Sequence, residues 1–179
     1  GRMTDALAAG EKAVELDPGD DEAHNSKGVI FENLGRFDEA EASYKEAILL
    51  KPDNCGAYYN LGNALGKLVK FEEALAAYRQ AVAVNPDYAE AHCNLGITLQ
   101  RLGRLEEAEV SCRRAILLKP DYADAHCNLG VTLQDLGRLD EAEASHRFAI
   151  GLKPGLAEAH CNLGVTLQDL GRLDEAEAS

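Results

Sequence analysis

Basic side chains are scarce: 18 lysines and arginines stand against 31 aspartates and glutamates in 179 residues, a formal net charge of −13. Like charge opposes approach to phosphate, so nucleic acid and anionic membrane surfaces are poor partners. No apolar run approaches the roughly 18 residues of a membrane-spanning helix. Gly1-Arg2-Met3-Thr4 opens no apolar stretch of the kind a secretory signal needs. No glycine-rich phosphate loop of the G-x-x-x-x-G-K type occurs. The cysteines are few and odd in number: Cys55, Cys93, Cys112, Cys127 and Cys161. Cys93, Cys127 and Cys161 recur at an even step, so repeated units would hold them apart and a disulfide framework is not expected. Reduced thiols fit a cytoplasmic setting. What the chain does have is 46% apolar residues, which excludes a disordered chain.

Proline is also sparse, and its placement sets the organisation. Pro18, Pro52, Pro86, Pro120 and Pro154 are evenly spaced, at a constant step of 34 in the numbering. A fixed period of this size argues for stacked small units around a shared core. The expected organisation is one array over 1–179: 1–20 as the second half of a repeat, full repeats 21–54, 55–88, 89–122 and 123–156, and a truncated repeat 157–179. Small residues keep the same register. Gly28, Gly62, Gly96, Gly130 and Gly164 form one series, and Ala6, Ala40, Ala74, Ala108, Ala142 and Ala176 another. A second glycine series, Gly1, Gly35, Gly103, Gly137 and Gly171, is broken once by Val69.

Each repeat reads as two helices. In the third full repeat the first helix is expected over about 89–102, with Ala91, Leu95, Leu99 and Leu102 as its apolar stripe. Asp87 and Glu90 have the spacing of a capping box. Gly103 suits the left-handed residue that ends such a helix. The second helix is expected over about 106–118, with Glu106 and Glu107 in its first turn against the helix dipole. Leu105, Ala108, Cys112, Ala115 and Ile116 are its buried stripe, and Pro120 prevents continuation. Gly96 and Ala108 allow the two helices to approach closely. A seven-residue heptad does not divide the period, and the alternation of a β-solenoid is absent. The fold class is all-α.

Leu95, Gly96, Leu99, Ala108, Ala115 and Pro120 together resemble the tetratricopeptide repeat (TPR), and the resemblance covers essentially the whole chain. Two positions depart from it. The aromatic usual early in the first helix is His24, His92, His126 and His160, with Tyr58 keeping it; that of the second helix is Gly10, Cys112 and His146, with Tyr44 and Tyr78 keeping it. The resemblance implies a right-handed superhelical solenoid of antiparallel helix pairs whose first helices line a concave groove. It also implies a non-catalytic scaffold that binds peptides or partner segments there, with no cofactor.

The groove stripe can be read from helical spacing. If Ala91, Leu95 and Leu99 face the core, then Glu90, Asn94, Ile97 and Arg101 lie on another face, flanked by Cys93 and Gln100. Equivalent positions give Asn60 with Asn63, Asn128 with Val131, and Asn162 with Val165, flanked by Tyr59, Cys127, Cys161, Gln134, Gln168 and Asp135. A carboxamide offers two donors and an acceptor, so this ladder could hold the backbone of an extended peptide. The same asparagines could instead bridge neighbouring helices. The ladder resembles that of the TPR arm of SPINDLY-like O-linked N-acetylglucosamine transferases, which makes a substrate-recruiting arm of a larger enzyme the alternative function. A structural spacer or self-assembling array is the third. Lys67 and Arg101 are the only basic groove candidates, while Glu90, Asp124, Asp135, Glu158 and Asp169 are acidic. A neutral or basic partner segment is therefore favoured, and an acidic tail is not.

Chemistry is not expected. The His-Cys pairs at 92–93, 126–127 and 160–161 invite a metal, but adjacent helical residues point about 100° apart. Equivalent helices about 10 Å apart cannot bring two thiolates to one zinc. Ser43, Ser111, Ser145 and Ser179 recur at one position and are expected as surface residues. Residues 157–179 match 123–145 at 22 of 23 positions, which suggests duplication. The array stops within a helix pair, so Leu163, Leu167, Leu170 and Leu173 are expected to be poorly covered and the open ends to favour end-to-end self-association.

Overall fold

A computed structural model describes residues 2–172. Among these residues the structure is entirely helical, with ten helices and no strand. The chain divides into two compact units at Pro86 and Asp87. The first holds α1 (Arg2–Leu16), α2 (Asp21–Asn33), α3 (Phe37–Leu50), α4 (Cys55–Lys67) and α5 (Phe71–Val84). The second holds α6 (Ala89–Arg101), α7 (Leu105–Leu118), α8 (Ala123–Asp135), α9 (Leu139–Leu152) and α10 (Ala157–Asp169). Gly1, Leu173, Ala176 and Ser179 lie outside the described residues.

The apolar stripes fall where spacing puts them. In α6, Ala91, Leu95 and Leu99 are buried; in α7, Ala108, Cys112 and Ala115 are fully buried. The helix pair closes through its glycine. A Cβ on Gly96 would stand 2.6 Å from Cys112 Sγ and 3.3 Å from the Ala108 carbonyl oxygen. The same approach sets Gly28 on the ring of Tyr44, Gly62 on that of Tyr78, and Gly130 on that of His146. A residue of the second helix, Tyr44, Tyr78, Cys112 or His146, thus fills the notch left by a glycine on the first.

Local corrections follow from helix phase. The N-cap of α6 is Tyr88, without a side-chain cap bond, so Asp87 and Glu90 do not form a capping box. The helix begins one residue too late for that register. Asp87 pairs instead with Arg114 at 3.0 Å, and Glu90 with Lys119 at 3.3 Å. Side-chain caps do occur on α2, where Asp20 accepts from the Glu22 amide at 3.0 Å, and on α4, where Asn54 accepts from the Ala57 amide at 2.9 Å. Ser43 and Ser111 are buried rather than on the surface, each donating to the carbonyl one turn back, Glu39 and Glu107, at 2.9 Å. Leu163 and Leu167 are buried as well, against the expectation for an open end.

The turn between paired helices needs one left-handed residue. Gly35, Gly103, Gly137 and Gly171 have φ between 70° and 75°. Val69 takes that place in the first unit with φ 61°, and its side chain is exposed. A β-branched residue in this region is strained, and the left-handed form costs about 1–2 kcal/mol without glycine. Val69→Gly loses no packing but gains unfolded-state freedom, a partial offset. It is expected to stabilise the first unit by about 1 kcal/mol in urea denaturation; a lower midpoint would refute the strain.

Charged staples join successive pairs. Lys70 reaches Glu41 at 2.8 Å, Arg138 reaches Glu109 at 2.6 Å, and Arg172 reaches Glu143 at 2.6 Å. Each joins a second helix to the turn within the following pair.

Candidate peptide-binding groove

In the second unit the first helices of three successive pairs, α6, α8 and α10, stand side by side. Two hydrogen bonds recur across each step. Asn128 Nδ2 donates to Cys93 Sγ at 3.2 Å, and Asn162 Nδ2 donates to Cys127 Sγ at 3.5 Å. Gln100 Nε2 donates to Asp135 at 2.7 Å, and Gln134 Nε2 donates to Asp169 at 2.8 Å. Part of the asparagine ladder therefore bridges neighbouring helices. One such bond uses one donor of a carboxamide and leaves capacity for a ligand.

These helices border a cavity of about 540 Å³ lined by Ile97, Gln100, Arg101, Asp124, Cys127, Asn128, Val131, Glu158 and Asn162. Five of the residues read from the sequence as groove candidates meet here: Gln100, Arg101, Cys127, Asn128 and Asn162. Asn94, Gln134, Asp135, Gln168 and Cys161 lie on the same three helices but not in the lining. Cys93 is 1% exposed, not a groove residue, because Ala115 of α7 and Ala125 of α8 close over it. Cys127 is 2% exposed and packed with Ala149 and Ala159, yet it contributes to the lining.

Asn60, Asn63 and Tyr59 belong to the first unit and are engaged there. Asn60 Nδ2 donates to Asn25 at 3.1 Å, bridging α4 to α2. Tyr78 donates its hydroxyl to Asn63 at 2.7 Å, and Tyr59 packs against the Tyr78 ring with centroids 6.1 Å apart. Ile97 and Val131, on the stripe read from helical spacing, and Asp124 and Glu158, read as its acidic positions, complete the lining. The members of each pair stand one repeat apart on one face.

The buried thiols Cys93, Cys112 and Cys127 are poor nucleophiles. Burial pushes Cys112 up to about 12 and Cys127 up to about 11, and raises Cys93 as well, so all three stay protonated at neutral pH. The early histidines have a structural task. Nε2 of His24, His126 and His160 lies 3.1, 3.0 and 2.9 Å from the carbonyl oxygens of Pro18, Pro120 and Pro154. With the proton on Nε2, each ties a first helix to the proline turn before it, so these rings face the turn. Among the described residues, no three His, Cys, Asp or Glu side chains gather as a metal would require.

Residues 33–69 and 70–103 match the TPR repeat, and 89–122, 9–42, 111–144 and 157–179 match the tetratricopeptide repeat in three further families. No curated protein sequence matches the chain. Among solved structures, the crystal structure of PilW, "widely conserved type IV pilus biogenesis factor", is 27% identical with TM-score 0.88, over 98% of this chain and 83% of that one. YrrB, described as "a TPR protein with an unusual peptide-binding site", is 26% identical with TM-score 0.79, over 96% and 88%. MamA is 28% identical with TM-score 0.77, over 84% and 88%. The finer likeness to SPINDLY-like transferase arms gains no support from these relatives.

Proposed function

The chain belongs to the tetratricopeptide repeat family, and from that premise we propose that it is a non-catalytic scaffold holding an extended, neutral or basic partner segment against α6, α8 and α10. The observation that carries this reading is the cavity of about 540 Å³ bordered by those three helices. Its wall combines carboxamides, which can grip a peptide backbone whatever the side chains, with aliphatic surface at Ile97 and Val131. YrrB, a relative of similar fold, is described as having a peptide-binding site. The net charge of −13 favours the approach of basic segments and opposes acidic ones.

The test is fluorescence anisotropy with a neutral Ser/Thr-rich peptide beside an acidic one. The neutral peptide is expected to bind, and the double variant Asn128→Ala, Asn162→Ala to weaken it by about tenfold, or ~1.4 kcal/mol. Circular dichroism checks that helicity is retained. Tighter binding of the acidic peptide, or unchanged affinity in a folded double variant, would overturn the reading.

A further inference from the structure

The groove is a ruler as well as a surface. The step from α6 to α8 and the step from α8 to α10 carry the same two hydrogen bonds, asparagine to cysteine and glutamine to aspartate. Equal bonds between equivalent residues make the two steps equal. Helices in direct side-chain contact lie about 8–10 Å apart. Every groove feature therefore recurs at about that interval. Asp124 on α8 and Glu158 on α10 form one such pair, and Ile97 on α6 and Val131 on α8 form another.

An extended ligand must match this interval to use both members of a pair. A β-strand advances about 3.3 Å per residue but turns alternate side chains to opposite faces, so its residues i and i+3 do not share a face. A polyproline II chain turns once per three residues and rises about 3.1 Å each, presenting every third side chain on one face at about 9.3 Å. That is the ladder step. The two carboxylates then call for a cation at i and i+3.

The charges around the pair allow this. Asp124 has a contact with Lys153 at 4.0 Å, with both side chains more than half exposed, and a pair of that kind is worth little and exchanges readily. Arg101, the cation of the lining, ends α6, whereas Asp124 and Glu158 are the second residues of their helices. A helix of this length separates its ends by about 18 Å, so Arg101 does not neutralise the carboxylates.

Deepening the groove reading and resting on it, we propose that the preferred partner segment is a polyproline II stretch with lysine or arginine at every third position. The cations sit over Asp124 on α8 and Glu158 on α10, one ladder step apart. The backbone carbonyls and amides, which polyproline II leaves unpaired, meet the carboxamides of Asn128 and Asn162.

Three labelled peptides of equal length test this by anisotropy: four Lys-Pro-Ala triplets, the same composition with lysines in adjacent pairs, and four Gln-Pro-Ala triplets. The first is expected to bind about tenfold more tightly than either other. Asp124→Asn with Glu158→Gln is expected to abolish the difference between lysine and glutamine triplets, and added salt to shrink it. Equal affinity for the two lysine peptides would overturn the three-residue period. Equal affinity for lysine and glutamine triplets, both still sensitive to Asn128→Ala, would overturn the cation preference and leave the groove reading standing. Binding that ignores Asn128, Asn162, Asp124 and Glu158 alike would sink both.

Discussion

Gly62→Ala is expected to destabilise the first unit by about 2 kcal/mol, although alanine is the better helix former. Gly62 lies inside α4, and a Cβ there would stand 2.6 Å from Cε1 of Tyr78 and 2.8 Å from its Cδ1 and Cζ. The ring has no easy retreat. Tyr78 is 4% exposed, its hydroxyl is held by Asn63 at 2.7 Å, and Tyr59 packs against it. Forcing a methyl group into such a contact costs about 3 kcal/mol at the upper end of overpacking, and helix propensity returns about 1. Gly66, on the same helix, is the control. A Cβ there meets nothing within 4 Å, so Gly66→Ala is expected to stabilise by up to about 1 kcal/mol. Urea denaturation of both variants reads the two signs. The penalty at Gly62 should shrink in a Tyr78→Ala background, because the two changes act at one contact. Stabilisation by Gly62→Ala would show that the notch is not tight.

The second large effect is acid sensitivity of the second unit through His146. Its ring is 0% exposed, lies on Gly130, and has no hydrogen-bond partner for either nitrogen. Burial lowers its pKa from 6.5 to about 4, with no charged group contributing. The unfolded chain therefore takes up a proton as pH falls through 6.5, while the folded chain resists until about 4. Stability from the neutral ring is complete above pH 6.5 and is lost progressively down to about 4, a loss on the order of 3 kcal/mol. Carboxylates add their own loss in acid. Hydrogen bonds from Arg36 and Arg138 hold Glu39 and Glu141 below the usual range, so these lose their contribution as pH falls through their lowered values.

A single substitution separates the histidine from the carboxylates. Tyrosine fills the same notch at Tyr44 and Tyr78, and Tyr44 donates to Glu32 at 2.9 Å. Gln134 occupies the position equivalent to Glu32, three repeats on. His146→Tyr is therefore expected to be more stable than the natural chain at pH 7. The gap should widen by about 3 kcal/mol between pH 7 and pH 4. Parallel stability–pH curves for the two proteins would show that His146 is not the acid-sensitive group.

These two sites also mark how far the sequence could be read. The glycine on each first helix and the bulky residue on each second were legible as two separate series, Gly28 to Gly164 and Tyr44 to His146. Their contact was not legible, because it depends on the crossing of two helices rather than on spacing along either. His146 stood out as a departure from the family aromatic, but nothing local to it says that both nitrogens lack partners. The asparagine ladder divides in the same way. Its register along one face follows from helical spacing, whereas the sulfur that Asn128 meets is 35 residues away.

The helix pairs, their even period and the turns between them were written in the chain before any packing was known. Those properties rest on local terms: apolar spacing, proline without an amide hydrogen, and glycine free to take a positive φ. What each recurring side chain does was settled by packing. Packing closed Ala115 and Ala125 over Cys93, set Asp87 on Arg114 rather than on a helix end, and gathered Asp124 and Glu158 at one cavity. The reason is that a partner one repeat away is chosen by packing distance and helix phase, which a shift of a single residue changes.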